Sequence, residues 1–197
     1  MRVMTRSVVV HLVGYPGVGK YTVATELARL AEERGRRLVV VDNHHTSNVI
    51  FSVLPVDGVS TLPDSVWDRV DEVRAALMRT IKELSPADWS FVFTNVMTEG
   101  VPADHETLDR VRQLAESRNS HYVPVRLTCQ IDELLRRVAR PDRPTRQKWV
   151  DPAGVSTFVE GSELIRIAHS ALLDLDVTDL APSETAARIL DHADGLR

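Results

Sequence analysis

The chain has 197 residues, 43% hydrophobic and 26% charged, a composition that suits one globular domain, or one with a small insert, and excludes a disordered chain. Its net charge of −4 argues against a generally basic nucleic-acid binder, and a single cysteine, Cys129, excludes an internal disulfide framework and fits a reducing cytoplasm. No run approaches the ~20 apolar residues of a membrane span, and the short apolar stretch near the N-terminus leads into glycines and not into a cleavage site.

In chain order, apolar β-branched runs alternate with segments of helical period. Residues 7–13 (SVVVHLV) read as a strand and 21–34 as a helix with Val23, Leu27 and Leu30 on one face. Residues 37–42 (RLVVVD) form a second strand. Val66, Val70, Val73, Leu77, Ile81 and Leu84 recur at three and four residues, which predicts one long amphipathic helix ending at Ser85-Pro86. A third strand is expected over 89–95, a helix over 104–118, and a fourth strand over 121–128 in which Pro124 is an awkward residue. A helix over 131–139, another opened by Asp151-Pro152, a strand over 171–177 and a helix over 182–192 complete the pattern. Strands this continuously apolar, separated by helices, predict an α/β domain with a parallel sheet covered on both faces. Two stretches break the pattern and read as irregular, 43–63 and 140–150. Ligands of open parallel sheets bind beyond the carboxyl ends of the strands, so the loops there carry the chemistry.

Gly14-Tyr15-Pro16-Gly17-Val18-Gly19-Lys20 has the G-x-x-x-x-G-K spacing of a loop that cradles phosphates, directly after an apolar strand and directly before a helix. Glycines let the backbone wind closely and aim successive N–H groups at one anion, the helix start adds its positive end, and Lys20 adds a mobile charge. The order of glycines does not suit a dinucleotide fold, which needs G-x-G-x-x-G. The residue after the lysine, commonly a magnesium-binding Ser or Thr, is Tyr21, followed by Thr22; Thr22 is the candidate metal ligand. Gly14, Pro16, Gly17, Val18, Gly19, Lys20, Tyr21 and Thr22 are the expected nucleotide-binding set.

Asp42 ends the second strand on the same rim, where a carboxylate can orient a hydroxyl and accept its proton. His44 and His45 follow. Neighbours on an extended segment point opposite ways, so one is expected in an acceptor pocket and the other capping or in solvent. From Leu38 to Asp68 there is no lysine or arginine, whereas a phosphorylated acceptor normally requires arginines. That segment offers apolar groups, Phe51 among them, and its first cation is Arg69. A small, neutral or apolar acceptor bearing a hydroxyl is the expectation, with Asp42, His44, His45, Phe51 and Arg69 on the acceptor side. Residues 136–148 (RRVARPDRPTRQK) hold six basic residues against Asp142 alone, a pattern that reads as an arginine-rich lid over about 137–150. Arg137, Arg140 and Arg143 are its best candidates for gripping phosphates. The third strand's exit, Thr94 to Gly100, adds polar groups but no strand-ending acid, and Glu99 is a weak substitute.

With the phosphate loop, Asp42, the arginine run and the closing LDLDVTDLAPSETAARIL in view, the chain resembles the P-loop small-molecule kinases, the superfamily of adenylate, shikimate and gluconate kinases and chloramphenicol phosphotransferase. The resemblance spans residues 7–192 and implies one domain over 1–197, a three-layer fold with a five-stranded parallel sheet in the order 2-3-1-4-5, an acceptor-binding insert at about 43–63, and ATP with Mg2+ as cofactors. It also implies adenine near Val177-Thr178-Asp179, and Lys20, Asp42, Arg140 and Arg143 as catalytic groups. The expected partners are a nucleoside triphosphate and a small-molecule acceptor, with the protein a monomer or homodimer in the cytoplasm; membranes and nucleic acid are not expected. The rival readings are a nucleoside or nucleotide kinase, and an ATP-binding switch or slow NTPase.

Overall fold

The structure is a computed structural model, described here for residues 6–57, 62–140, 149 and 151–196. Five strands form one sheet: β1 (Val8–Val13), β2 (Leu38–Asp42), β3 (Ser90–Asn95), β4 (His121–Thr128) and β5 (Leu173–Asp176). All neighbours are parallel and the order is β2-β3-β1-β4-β5. The helices are α1 (Lys20–Glu33), α2 (Asn43–Phe51), α3 (Asp64–Leu84), α4 (Pro102–Ser117), α5 (Ile131–Val138), α6 (Pro152–Glu160) and α7 (Pro182–Gly195).

Side chains of β1 divide between two cores, as the period of two requires. Val8, Val10 and Leu12 pack with Val23 and Leu27 of α1 and with Ile189 and Leu190 of α7, and α5 and α6 close that layer through Leu134, Val138 and Val155. Val9 faces the other way, into a core made with Phe91, Phe93, Ile81 of α3 and Val111 and Leu114 of α4. The sheet is therefore covered on both faces, and its first strand is wholly buried. One polar residue interrupts it: His11 is fully buried, Nδ1 lies 3.1 Å from the Tyr122 hydroxyl and Nε2 lies 3.0 Å from Asn95 Oδ1. Burial lowers its pKa to about 4, so the ring is neutral.

Pro124 is accommodated because β5 covers β4 only from Val125 onward, leaving Pro124 where β4 is still an edge on that side. The expectation that 43–63 is irregular is corrected by α2, which opens directly after Asp42. The strand expected over 171–177 is shorter, because β5 pairs with β4 through Leu173–Asp176 alone.

Candidate functional site

The carboxyl ends of β1, β2 and β3 meet at a cleft of about 280 Å³. The loop after β1 builds its floor. Gly17 and Gly19 adopt φ of 96° and 107°, left-handed values that favour glycine. At Gly17 a Cβ would also lie 2.6 Å from Val138 Cγ2 and 3.2 Å from the Leu134 carbonyl, so α5 packs against bare backbone there. Gly19 is the N-cap of α1 and supplies no side-chain cap, and the first turn of α1 holds no acid. The helix therefore presents its positive end to the loop unopposed. Lys20 Nζ folds over the loop, donating to the carbonyls of Gly14 at 2.6 Å and Tyr15 at 3.0 Å.

Asp42 is almost fully buried and borders the same cleft. Its Oδ1 accepts from the His44 amide at 2.9 Å, which makes it the N-cap of α2. The Asn43 amide donates to Thr94 Oγ1 across the β2–β3 register. Because His44 and His45 stand on a helix, the expected alternation of an extended segment does not apply; His44 borders the cleft and His45 is exposed.

Arg137, expected at the start of the lid, lies on α5. From α5 it donates to Glu133 at 2.6 Å, to the Val18 carbonyl at 2.9 Å, and to the carbonyls of Val177 and Thr178 at 2.8 and 3.1 Å. It ties the phosphate loop to α5 and to the segment after β5. The partner carboxylate, Glu133, is held down to about 2 by hydrogen bonds from Arg136 and Arg137. Beside this strap lies a second cavity of about 320 Å³, lined by Val177, Thr178 and Asp179, which shares Gly19, Thr22, Arg137 and Arg140 with the first.

Of the expected site residues, Pro16, Gly17, Gly19, Lys20, Tyr21, Thr22, Asp42, His44, Arg137 and Arg140 line the cleft. Val18 is buried in the core beneath the loop, and Gly14 sits where a Cβ would lie 2.6 Å from the Leu127 carbonyl. Two residues expected on the acceptor side, Phe51 and Arg69, are not among those lining the cleft. Phe51 is buried edge-on against Trp67, 5.7 Å between centroids, as packing between α2 and α3. Arg69 is exposed on α3 and paired with Glu72. Glu99 is likewise directed elsewhere, its Oε1 accepting from the Arg166 amide. Arg143 lies outside the described residues, as do 141–148 of the expected lid. The residues missed from sequence are Trp149, which borders the cleft as a single aromatic at the end of a basic run, and Arg74, one turn beyond Arg69 on α3. Arg74 pairs with Asp71 and borders a small space beneath Asp42, outside the main cleft.

Thr22 and Asp42 are hard oxygen donors on one cleft, the chemistry magnesium takes when it arrives with a nucleotide and keeps most of its water. Among the described residues no group of three or more His, Cys, Asp or Glu is placed to hold a metal by itself.

The fold, with its five-stranded parallel sheet in the order β2-β3-β1-β4-β5, is shared with solved structures of kinases. No protein-family model matches the sequence, and no curated protein matches it. Among solved structures, a candidate kinase from Chloroflexus aurantiacus superposes with a TM-score of 0.67 at 16% identity, covering 96% of this chain and 97% of that one. The APS kinase CysC of Mycobacterium tuberculosis, in complex with AMPPNP and APS, gives 0.62 at 18% identity over 95% and 97%. A gluconokinase from Sinorhizobium meliloti 1021 gives 0.57 at 18% identity over 99% and 97%. The chain is similar to these proteins in fold. No helix among the described residues is long and apolar enough to cross a membrane.

Proposed function

We propose that this protein is an ATP-dependent phosphotransferase acting on a hydroxyl of a small, uncharged molecule. The observation that carries this reading is the sharing of one cleft by Lys20 of the phosphate loop and Asp42 at the end of β2. The loop amides and the start of α1 hold the triphosphate, and Lys20 exchanges its carbonyl partners for the outer phosphates. The acceptor oxygen attacks the γ-phosphorus and forms a new P–O bond. The bond from that phosphorus to the β–γ bridging oxygen breaks, ADP departs, and the acceptor proton passes to Asp42. Magnesium, when bound, would be held by Thr22 together with the nucleotide phosphates and would supply charge neutralisation. Arg140, at the rim shared by both cavities, faces the charge on the moving group.

The uncharged acceptor is supported by the cations present: Lys20, Arg137 and Arg140 are the lysines and arginines on the cleft among the described residues, and all belong to the phosphate loop or α5 and its end. Arg69 and Arg74 are paired with carboxylates of α3. The kinase names of the structural neighbours and the nucleotide analogue bound to one of them are in keeping with this chemistry.

Asp42→Asn tests the proposal. Asparagine keeps the cap of α2, so the fold and nucleotide affinity are expected to hold while transfer falls about 100-fold or more. Unchanged turnover in this variant would remove Asp42 from the chemistry.

A further inference from the structure

The sheet's last row on the side of α1 carries two polar side chains. In register, Asp42 of β2 stands beside Thr94 of β3, and Thr94 stands beside Leu12 of β1. Two residues earlier on their strands, Val92 and Val10 pack with Val23 and Leu27 of α1, and Leu12 belongs to the same core. Residues two apart share a face of a strand, so Asp42, Thr94 and Leu12 all point to the side that α1 covers. The phosphate loop joins β1 to α1, and Lys20 and Thr22 of the first turn of α1 border one cleft with Asp42 and Thr94. Across the sheet the order is therefore the Asp42 carboxylate, the Thr94 hydroxyl, and the strand that feeds the phosphate loop.

Thr94 has one structural duty: its Oγ1 accepts from the Asn43 amide at 3.3 Å, which steadies the start of α2. A hydroxyl also carries a hydrogen to give. The residue is 1% exposed, and among the described residues that hydrogen goes to no acceptor. A buried donor left unmet is costly, and here it borders a cleft built for an anion. We infer that Thr94 is a further catalytic residue, whose hydroxyl donates to an oxygen of the γ-phosphate and holds that group between the nucleotide and the acceptor oxygen beside Asp42. The bond is charge-assisted, no proton passes through it, and Thr94 leaves the reaction unchanged. This rests on the kinase reading and adds a contact to the group in transit. ADP lacks that group and gains nothing from the hydroxyl.

Calorimetric titration of AMPPNP and of ADP, each with Mg2+, into wild type and variants at this position tests the assignment. Valine has the shape of threonine without the hydroxyl, so Thr94→Val is expected to weaken AMPPNP about tenfold and ADP less than about twofold. Thr94→Ser is expected to stay within about threefold of wild type for both. Thr94→Ala carries the same expectation as Thr94→Val and decides the matter should that variant fail to fold. In phosphorus NMR of bound AMPPNP, the γ resonance alone is expected to move on removal of the hydroxyl. Loss of the Asn43 contact by itself would loosen the site for both nucleotides. An equal fall for AMPPNP and ADP, no change for either, or movement of all three phosphorus resonances together overturns the role of Thr94 and leaves the kinase reading standing. A wild type that binds neither nucleotide overturns both.

Discussion

His11 stands in the middle of a strand whose other members are apolar, and burial holds it neutral against the Asn95 hydrogen bond, which favours the charged ring. Its pKa, about 4 in the folded protein, lies below the ordinary 6.5, so as pH falls the unfolded chain takes up the proton first. The contribution is complete above pH 6.5 and is lost progressively as pH falls to 4, the loss by then amounting to about 3 kcal/mol. Urea unfolding across this range is expected to show the decline in the wild type and a flatter profile in His11→Gln; parallel profiles would contradict it. Asp42 illustrates a different residue-level point. It caps α2 through the His44 amide while bordering the reaction cleft, so a local structural need and a chemical one converge on one carboxylate. From the sequence it could be read either as a turn former or as a base, and the structure gives it the capping duty together with a place in the cleft.

Three elements depend on Arg137: the phosphate loop, α5 and the segment following β5. Removing the guanidinium in Arg137→Met strands the carbonyls of Val18, Val177 and Thr178, which is expected to lower stability by about 2 kcal/mol and to weaken nucleotide binding through the displaced loop. Arg137→Lys is expected to rescue little, because one ammonium cannot reproduce a planar fork that serves four acceptors. Denaturant unfolding together with nucleotide titration measures both effects; a lysine variant equal to wild type would show that the strap is dispensable. The helix α2 belongs to this scale too. Its sequence, NHHTSNVIF, has few strong helix formers and no clear 3.6-residue stripe, so it reads as a loop; the Asp42 cap and the Phe51–Trp67 contact hold it as a helix.

Across the molecule, what was legible in the sequence was what is local. Continuous apolar runs in β1 and β3 and the stripes of α3 and α4 announce a sheet covered on both sides, and the G-x-x-x-x-G-K spacing announces the loop. Strand order is a tertiary fact with no residue pattern behind it and came only through family resemblance. Arg137 looked like one arginine among five in a basic run because the carbonyls it ties lie about 40 and 120 residues away. Trp149 went unnoticed because its place on the cleft, packed against Phe158 of α6, exists only once the chain is folded. The central claim is that the loop after β1 holds a nucleoside triphosphate for transfer. Calorimetric titration of ATP with Mg2+ into wild type and Lys20→Met tests it most directly: one saturable site in the wild type, weakened at least about tenfold in the variant, is the expected result, and no heat in the wild type, or equal affinity in both, would contradict it.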